Sequence, residues 1–228
     1  VFLEQIVAGN QNGHVAVLEL KNESVAPVQP RIALEEAYHL SHPFIFEWAG
    51  ENYMVPESAA NQTVDLYRCL EFPHRWEFQK SLLSGVRAVD ATFLEHEGRW
   101  WMFVAMAVHT GATTRDELFL YSNRRPIDDD WQPHRLNPVV TDVRCARPAG
   151  RIYERDGKLV RPAQDCSHRY GYGIRLMEIR ALDAERYEEV EIGSYTPDWD
   201  RNVIAMHTID QGSEVTVLDA KRSTFRLV

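Results

Sequence analysis

Three segments of this chain resemble one another and recur about every 50 residues. Each contains an apolar run, a glycine-centred turn and a second apolar run, over residues 42–57, 90–105 and 149–164. A third apolar run follows each pair, and an aromatic residue then opens a fourth. The three turn glycines are Gly50, Gly98 and Gly157, and they lie 48 and 59 residues apart. The three aromatics are Trp76, Trp131 and Tyr187, and they lie 55 and 56 residues apart. Four short antiparallel strands repeated at this spacing are typical of a β-propeller.

Partial repeats flank the three complete ones. Strand-like runs at residues 1–5, 13–20 and 25–33 match the second to fourth strands of a blade, and runs at 202–209 and 214–219 match a first and second strand. The sequence therefore predicts an all-β fold: a five-bladed β-propeller of four-stranded antiparallel blades whose N-terminal blade is incomplete. We expect residues 1–228 to form a single domain.

Composition and charge limit the classes of partner that the chain is expected to bind. The net charge is −9, and lysine and arginine form no stripe, which disfavours nucleic acid and anionic membrane surfaces as main partners. No apolar run approaches the roughly 18 residues that span a bilayer, and no basic-then-apolar leader is present. We expect a soluble chain without direct membrane insertion, with the cytoplasm favoured. Because the sequence starts at Val1, we expect it to be a fragment or a processed product.

The three cysteines, Cys69, Cys145 and Cys166, show no metal-ligand spacing. The prediction is three buried small hydrophobic residues, with no metal and no cofactor.

Candidate site residues follow from propeller geometry, because the first strand of each blade lines the central channel. The starts of the inner strands, the ends of the second strands and the nearby arginines give the following set: His42, Asp90, Arg147, His207, Glu57, Gln164, Asp165, Arg87 and Arg161.

Asp90, Glu57 and Asp165 are the predicted catalytic carboxylates. Burial and mutual repulsion push the pKa values of such groups apart, which divides them into an acid and a base. Glycoside hydrolysis uses a pair about 5–5.5 Å apart for retention or about 6.5–9.5 Å apart for inversion. The alternative is that each is a structural carboxylate bonded to a neighbouring blade.

The remaining residues are predicted to bind substrate. His42, His207 and Gln164 would contact sugar hydroxyls, although a structural role for each histidine stays open. Arg87, Arg147 and Arg161 would clamp a carboxylate or phosphate, or would instead neutralise the three carboxylates as interior ion pairs.

Two resemblances bear on function. The run Asp90-Ala-Thr-Phe-Leu-Glu-His-Glu-Gly-Arg-Trp-Trp resembles the blade openings of five-bladed furanosidase-type glycosidases, such as arabinanases, xylosidases and invertase-like enzymes. Nearly the whole chain is similar to the N-terminal domain of glucosamine inositolphosphorylceramide transferases and their bacterial relatives. The motifs are His42-Pro-Phe-Ile-Phe-Glu-Trp, Met54-Val-Pro-Glu57, Val89-Asp-Ala-Thr, Ala146-Arg-Pro-Ala-Gly-Arg-Ile, Arg161-Pro-Ala-Gln-Asp165 and Met206-His-Thr208. This resemblance implies that sugar transfer belongs to a separate C-terminal domain, fused or associated.

The chain departs from the furanosidase pattern at two points. The first inner strand, which carries the general base in those enzymes, is absent. The segment Cys145-Ala-Arg-Pro148 lacks the glutamate that serves as their general acid. Hydrolysis would therefore require a rearranged set such as Glu57, Asp90 and Asp165.

The leading hypothesis is a carbohydrate-active domain, glycosidase-like or sugar-transferase-associated, with carboxylate general acid–base chemistry. The alternative is a non-catalytic glycan-binding or scaffolding domain of a glycosyltransferase. Both predict a carbohydrate or glycoconjugate ligand.

Overall fold

The computed structural model describes residues 1–20, 29–109, 111–212 and 215–223. Within these ranges the chain is all-β: its strands are joined by loops and one short 3₁₀ turn, Ala59–Asn61. The chain divides into two compact units. The first contains Val1–Ala91 and Arg125–Trp131, and the second contains Thr92–Arg124 and Gln132–Val228.

The first unit contains two antiparallel sheets. One has the order β1-β2-β3 and is formed by β1 (Phe2–Gln5), β2 (His14–Val17) and β3 (Arg31–Leu34). The other has the order β4-β5-β6-β7 and is formed by β4 (Ser41–Trp48), β5 (Glu51–Ser58), β6 (Thr63–Glu71) and β7 (Arg75–Ser84). The three-stranded sheet agrees with the predicted incomplete blade, and residues 25–28 of its predicted last strand lie outside the described residues.

The two sheets of this unit share one apolar core. Val15 and Val17 of β2 pack with Met54, Tyr67 and Trp76 of the four-stranded sheet. The middle residues of β2, β5 and β6 form continuous buried runs, so these strands are covered on both faces.

The second unit contains two larger sheets. One sheet has the order β11-β10-β9-β8 and is formed by β8 (Ala88–His96), β9 (Arg99–Met106), β10 (Glu117–Asn123) and β11 (Gln132–Pro133). The first residues of β8 belong to the first unit. A further short strand, β12 (Val140–Thr141), also pairs with β10. The order β13-β14-β15-β16 joins β13 (Tyr153–Arg155), β14 (Lys158–Asp165), β15 (Gly173–Leu182) and β16 (Tyr187–Tyr195). Trp101, Phe103, Leu118, Leu120 and Tyr187 form the centre of their common core.

The predicted inner strand at residues 202–209 is interrupted. The structure has β17 (Val203–Ala205) and β18 (Ile209–Gln211), followed by β19 (Thr216–Leu218) and β20 (Lys221–Arg222). The strands pair as β17-β20 and β18-β19. The break occurs at residues 206–208, where Asp219 accepts two backbone N–H groups and so takes them out of a regular ladder. Residue 214 of the predicted partner strand lies outside the described residues.

The three predicted hairpin turns are confirmed. Gly50, Gly98 and Gly157 have φ values of 80°, 71° and 73°, and the residue before each also has a positive φ. Two consecutive left-handed residues define a type I′ turn, whose twist matches that of paired strands. These turns set the register of each first and second strand.

Among the described residues, no helix has the length and apolar character needed to cross a bilayer.

Candidate functional site

In the first unit, the structure brings together His42 and Asp90, which lie near the starts of β4 and β8. The side chains are 11% and 5% exposed, and His42 Nδ1 lies 3.6 Å from Asp90 Oδ1. Both residues have left-handed backbone conformations, with φ values of 40° and 54°. Left-handed backbone costs roughly 1–3 kcal/mol in residues other than glycine, and such strain concentrates at functional sites.

This pair has a definite chemical capacity. A buried carboxylate requires a polar partner, and an imidazole close to it can be held in one orientation and stabilised when protonated. The pair could therefore accept a proton from, or hydrogen-bond to, a sugar hydroxyl.

Glu57 and Arg87 are placed differently in the same unit. Glu57 is half-buried and lies opposite Ser41 in the β4–β5 ladder, so it is across the sheet from the residue before His42. Arg87 is exposed and immediately precedes β8. The assignment of these two residues to a site remains a prediction.

In the second unit, Asp165 lies at the end of β14 and is held in a structural network. Its Oδ2 accepts hydrogen bonds from Arg175 Nε and Nη2 at 2.9 and 2.7 Å. Its Oδ1 accepts from the backbone N–H and the hydroxyl of Ser167 at 2.9 and 2.6 Å. Burial raises the pKa of Asp165, but the hydrogen bonds from Ser167 and Arg175 outweigh burial and lower it. A carboxylate held ionised in this way is a poor general acid, which disfavours the role predicted for Asp165.

Arg161 is also an interior residue. Its side chain is 1% exposed, and its guanidinium donates to both carboxylate oxygens of Glu189 at 2.8 and 2.6 Å and to the Cys145 carbonyl at 2.7 Å. Tyr187 donates to the same glutamate at 2.5 Å. Burial lowers the pKa of Arg161, but the charge of Glu189 more than offsets this effect. This geometry favours the ion-pair alternative over the substrate-binding role, with Glu189 rather than a predicted carboxylate as partner.

Gln164 braces the loop that carries Arg147. Its Nε2 donates to the Pro148 carbonyl at 2.9 Å, and its backbone N–H donates to the Arg147 carbonyl at 2.8 Å. Gln164 is 2% exposed. These bonds hold the backbone of Arg147 and Pro148, in the segment before β13, against β14.

Arg147 and His207 both lie beside the aromatic ring of Tyr170, a residue that the sequence pattern did not indicate. The Arg147 guanidinium carbon lies 4.9 Å from the Tyr170 ring centroid, and that of Arg115 lies 5.6 Å from it. The His207 ring centroid is 5.2 Å away at an interplanar angle of 59°. Tyr170 is 40% exposed, whereas Arg147 is 8% exposed. We call Arg115, Arg147, Tyr170, His207 and Asp219 the Tyr170 cluster.

Asp219 orients the histidine of this cluster. Its Oδ2 lies 2.7 Å from His207 Nδ1, and its Oδ1 accepts the backbone N–H groups of His207 and Thr208. Burial raises the pKa of Asp219, but the hydrogen bond and charge of His207 outweigh burial and lower it. The carboxylate is therefore ionised at neutral pH and favours a proton on His207 Nδ1.

The turn that carries Tyr170 is tied to the strand end that carries His207. Met206 donates its backbone N–H to the Gly171 carbonyl at 2.9 Å. Gly171 has a φ of 67°, and a Cβ built on it would lie 3.5 Å from His207 Cβ. A tyrosine beside glycine in the loop His168-Arg-Tyr-Gly-Tyr172 was a detectable sequence signal. No sequence signal pointed to Asp219, because its contact with His207 arises only when the chain folds back on itself.

Two further features of the described residues bear on ligand binding: the arrangement of possible metal ligands, and a groove that none of the predicted site residues lines. Within the described part of the chain, no group of three or more His, Cys, Asp or Glu side chains is arranged to hold a metal ion. A groove of about 320 Å³ in the second unit is lined by other residues, among them His96, Lys158, Glu178 and Arg180. Lys158 and Arg180 both pair with Glu178 there, so we interpret this groove as a surface ion-pair cluster.

Solved structures with a similar fold are glycoside hydrolases. An exo-1,5-α-L-arabinanase from a bovine ruminal metagenomic library matches with a TM-score of 0.54 and 14% identity, over 82% of this chain and 66% of that one. An exo-β-1,3-galactanase from Phanerochaete chrysosporium matches with a TM-score of 0.54 and 12% identity, over 80% and 44%. A thermostable family-43 glycoside hydrolase matches with a TM-score of 0.51 and 12% identity, over 81% and 67%. These likenesses show the fold, an all-β arrangement of the propeller type.

Sequence relatives are plant transferases. Glucosamine inositolphosphorylceramide transferase 1 of Arabidopsis thaliana is 40% identical over 163 residues, which are 71% of this chain and 21% of that protein. The Oryza sativa subsp. japonica protein of the same name is 30% identical over 234 residues, 97% of this chain and 31% of that protein. The chain thus spans about a fifth to a third of the length of these relatives. The family model described as glucosamine inositolphosphorylceramide transferase 1, N-terminal, matches residues 1–219. The chain therefore belongs to this family of transferase N-terminal domains.

Proposed function

We propose that this chain is a glycan-binding domain that acts together with a glycosyltransferase domain, fused or associated, and that its ligand is a carbohydrate or glycoconjugate. The Tyr170 cluster carries this proposal. It combines a half-exposed aromatic ring, on which the apolar face of a sugar can pack, with the polar side chains of Arg147 and His207 beside that ring. Aromatic rings edged by a few fixed polar groups are typical of small-ligand sites.

Two observations favour binding over hydrolysis. Asp165 is held ionised by Arg175 and Ser167, and so is a poor proton donor. The segment from Cys145 to Pro148, where furanosidase-type enzymes would place an acid, contains only buried residues without a carboxylate. The shared fold does not by itself transfer the hydrolase chemistry, because function depends on the site residues.

A second candidate function, glycoside cleavage or transfer within the chain, is favoured by one feature. The strained, buried pair of His42 and Asp90 resembles a preorganised proton-transfer pair. Glu57, across the ladder from Ser41, is the acid that this alternative would use.

One experiment tests the proposal. The full-length protein is screened for binding to a panel of glycans by saturation-transfer NMR, and binding constants are measured for the hits. We expect Tyr170→Ala to weaken binding by about tenfold through loss of the aromatic surface. Tyr195→Ala, which removes a tyrosine 47% exposed on β16, should leave binding unchanged.

The same panel separates the two functions. Product analysis by mass spectrometry should show no cleavage that depends on Asp90 if the domain only binds. Turnover that falls by about 10²–10⁴ in Asp90→Asn, with binding retained, would replace the proposal with the catalytic alternative. An absence of binding to any glycan would reject both.

A further inference from the structure

We infer that Arg169 is a positioning residue for the Tyr170 cluster. It holds the turn that presents the Tyr170 ring against β17, the strand that leads to His207. This inference rests on the proposed function and adds a residue that acts on the ligand through Tyr170. Tyr170 lies in a loop and not in a strand, so the place of its ring depends on how that loop is held.

Tyr170 occupies the second position of a tight turn over residues 169–172. Tyr172 donates its backbone N–H to the Arg169 carbonyl at 3.2 Å, and this bond closes the turn. Gly171, at the third position, has a φ of 67°, which is typical of a type II turn. The turn places the Tyr170 ring at a corner of the chain, where it is 40% exposed. Turn geometry alone does not decide where this corner lies relative to His207.

The Arg169 side chain links the turn to β17. Its Nη2 donates to the carbonyl of Ile204, which lies in β17 and is 35 residues away in sequence. Its guanidinium carbon also lies 5.3 Å from the centroid of the Tyr172 ring. A charged donor strengthens a hydrogen bond, and a cation over a tyrosine ring is attracted by the ring. Arg169 therefore packs on its own turn while it bonds to the neighbouring strand.

The turn and the chain around β17 are in direct contact at this point. Met206 donates its backbone N–H to the Gly171 carbonyl at 2.9 Å. A Cβ built on Gly171 would lie 3.5 Å from the Cβ atoms of both Ala205 and His207. The 5.2 Å between the ring centroids of Tyr170 and His207 thus depends on the turn staying against this strand.

The base of the turn is held separately from its tip. The Asp165 carbonyl accepts the backbone N–H of Tyr172 at 3.1 Å, and the Asp165 carboxylate accepts two hydrogen bonds from Ser167. Loss of the Arg169 side chain should therefore loosen the tip and leave the base intact. A loosened aromatic ring must be ordered again when a ligand binds, and this ordering weakens affinity.

Binding and local opening are measured on the full-length protein. The probe is the glycan of the panel that wild type binds most tightly, titrated by NMR. Arg169→Gln should weaken its binding about fivefold. Without any glycan, the Met206 amide should exchange faster in hydrogen–deuterium exchange, while the urea midpoint stays unchanged. Arg169→Lys keeps a charged donor for the Ile204 carbonyl and should restore part of the affinity. Arg155→Gln, at an exposed arginine beside Asp156, is the matched control and should change none of these.

A double-mutant cycle separates positioning from direct contact with the glycan. If Arg169 acts by holding Tyr170, Arg169→Gln should have little further effect on binding in the Tyr170→Ala background. Losses that simply add would show that Arg169 does not act through Tyr170, and would overturn the inference.

The remaining outcomes distinguish this inference from the proposed function. Unchanged affinity in Arg169→Gln, with Tyr170→Ala still weakening binding, would overturn the inference and leave the proposed function standing. Unchanged exchange at Met206 would overturn it as well, because the turn would then be held without Arg169. A lowered urea midpoint that lysine does not restore would mark a general structural role and overturn it too. Binding of none of the panel glycans would reject both proposals.

Discussion

The carbonyl oxygen of Ile209 lies where a side chain on Gly150 would have to be. A Cβ built on Gly150 would be 2.0 Å from this oxygen, and Gly150 has a φ of 137°. Ile209 also donates its backbone N–H to the Ala149 carbonyl at 2.8 Å. Glycine at position 150 thus lets the chain after His207 pair with the segment that carries Arg147.

Gly150→Ala should therefore break the pairing between these two segments. The added methyl group cannot be accommodated beside backbone atoms, so the Ala149–Ile209 hydrogen bond is lost and the amide of Ile209 exchanges faster in hydrogen–deuterium exchange. Gly157→Ala is the control for a methyl group added at a positive φ, here 73°, because nothing lies within 4 Å of its Cβ. Equal exchange at Ile209 in both variants would contradict the steric explanation.

The second prediction concerns the contribution of the buried ion pair between Arg161 and Glu189 to stability. Arg161→Met leaves the Glu189 carboxylate buried without its cation, and we expect a loss of about 3–5 kcal/mol in the free energy of unfolding. Measured by urea denaturation, the double variant Arg161→Met with Glu189→Leu should lose less, because no charge then remains buried. Arg135→Met, at an exposed pair with Glu185, should leave the midpoint unchanged. A double variant less stable than Arg161→Met would refute this account.

Asp165 should contribute stability that depends on pH. Its pKa in the folded protein is lowered, so its contribution is fully present above the unfolded-state pKa of about 3.9 and is lost as the pH falls through the folded-state value. Urea denaturation should show wild type more stable than Asp165→Asn at pH 7, with the difference shrinking below about pH 4. Asp156→Asn, at an 89% exposed side chain, provides the control. A difference that stays constant down to pH 2.5 would exclude this mechanism.

The strained backbone at Asp90 can be tested without any ligand. Asp90→Ala and Asp90→Gly both remove the carboxylate, but only glycine adopts a φ of 54° without steric cost. We expect the glycine variant to be more stable than the alanine variant by about 1 kcal/mol in urea denaturation. At the adjacent Ala91, where φ is not positive, Ala91→Gly should instead destabilise by about 0.5–1 kcal/mol. The same sign at both positions would show that strain at Asp90 is not the cause.

The sequence pattern predicted the local part of the fold well. The hairpins at Gly50, Gly98 and Gly157 form as expected, because a two-residue turn with positive φ is decided by the residues within it. The pattern was less successful at residues 202–209, where one predicted strand is interrupted. That interruption depends on Asp219, which lies more than ten residues further along the chain and caps the backbone of His207 and Thr208.

By itself, the sequence determined an all-β chain of repeated antiparallel hairpins and a short set of polar residues at strand ends, because strand periodicity and turn chemistry are local properties. The tertiary structure decided which of those residues are held in interior ion pairs and which lie beside an exposed aromatic ring. Asp165 and Arg161 are engaged by Arg175 and Glu189, whereas Arg147 and His207 meet at Tyr170. The physical reason is that a buried charge takes its character from its partner, and these partners come from other strands and loops.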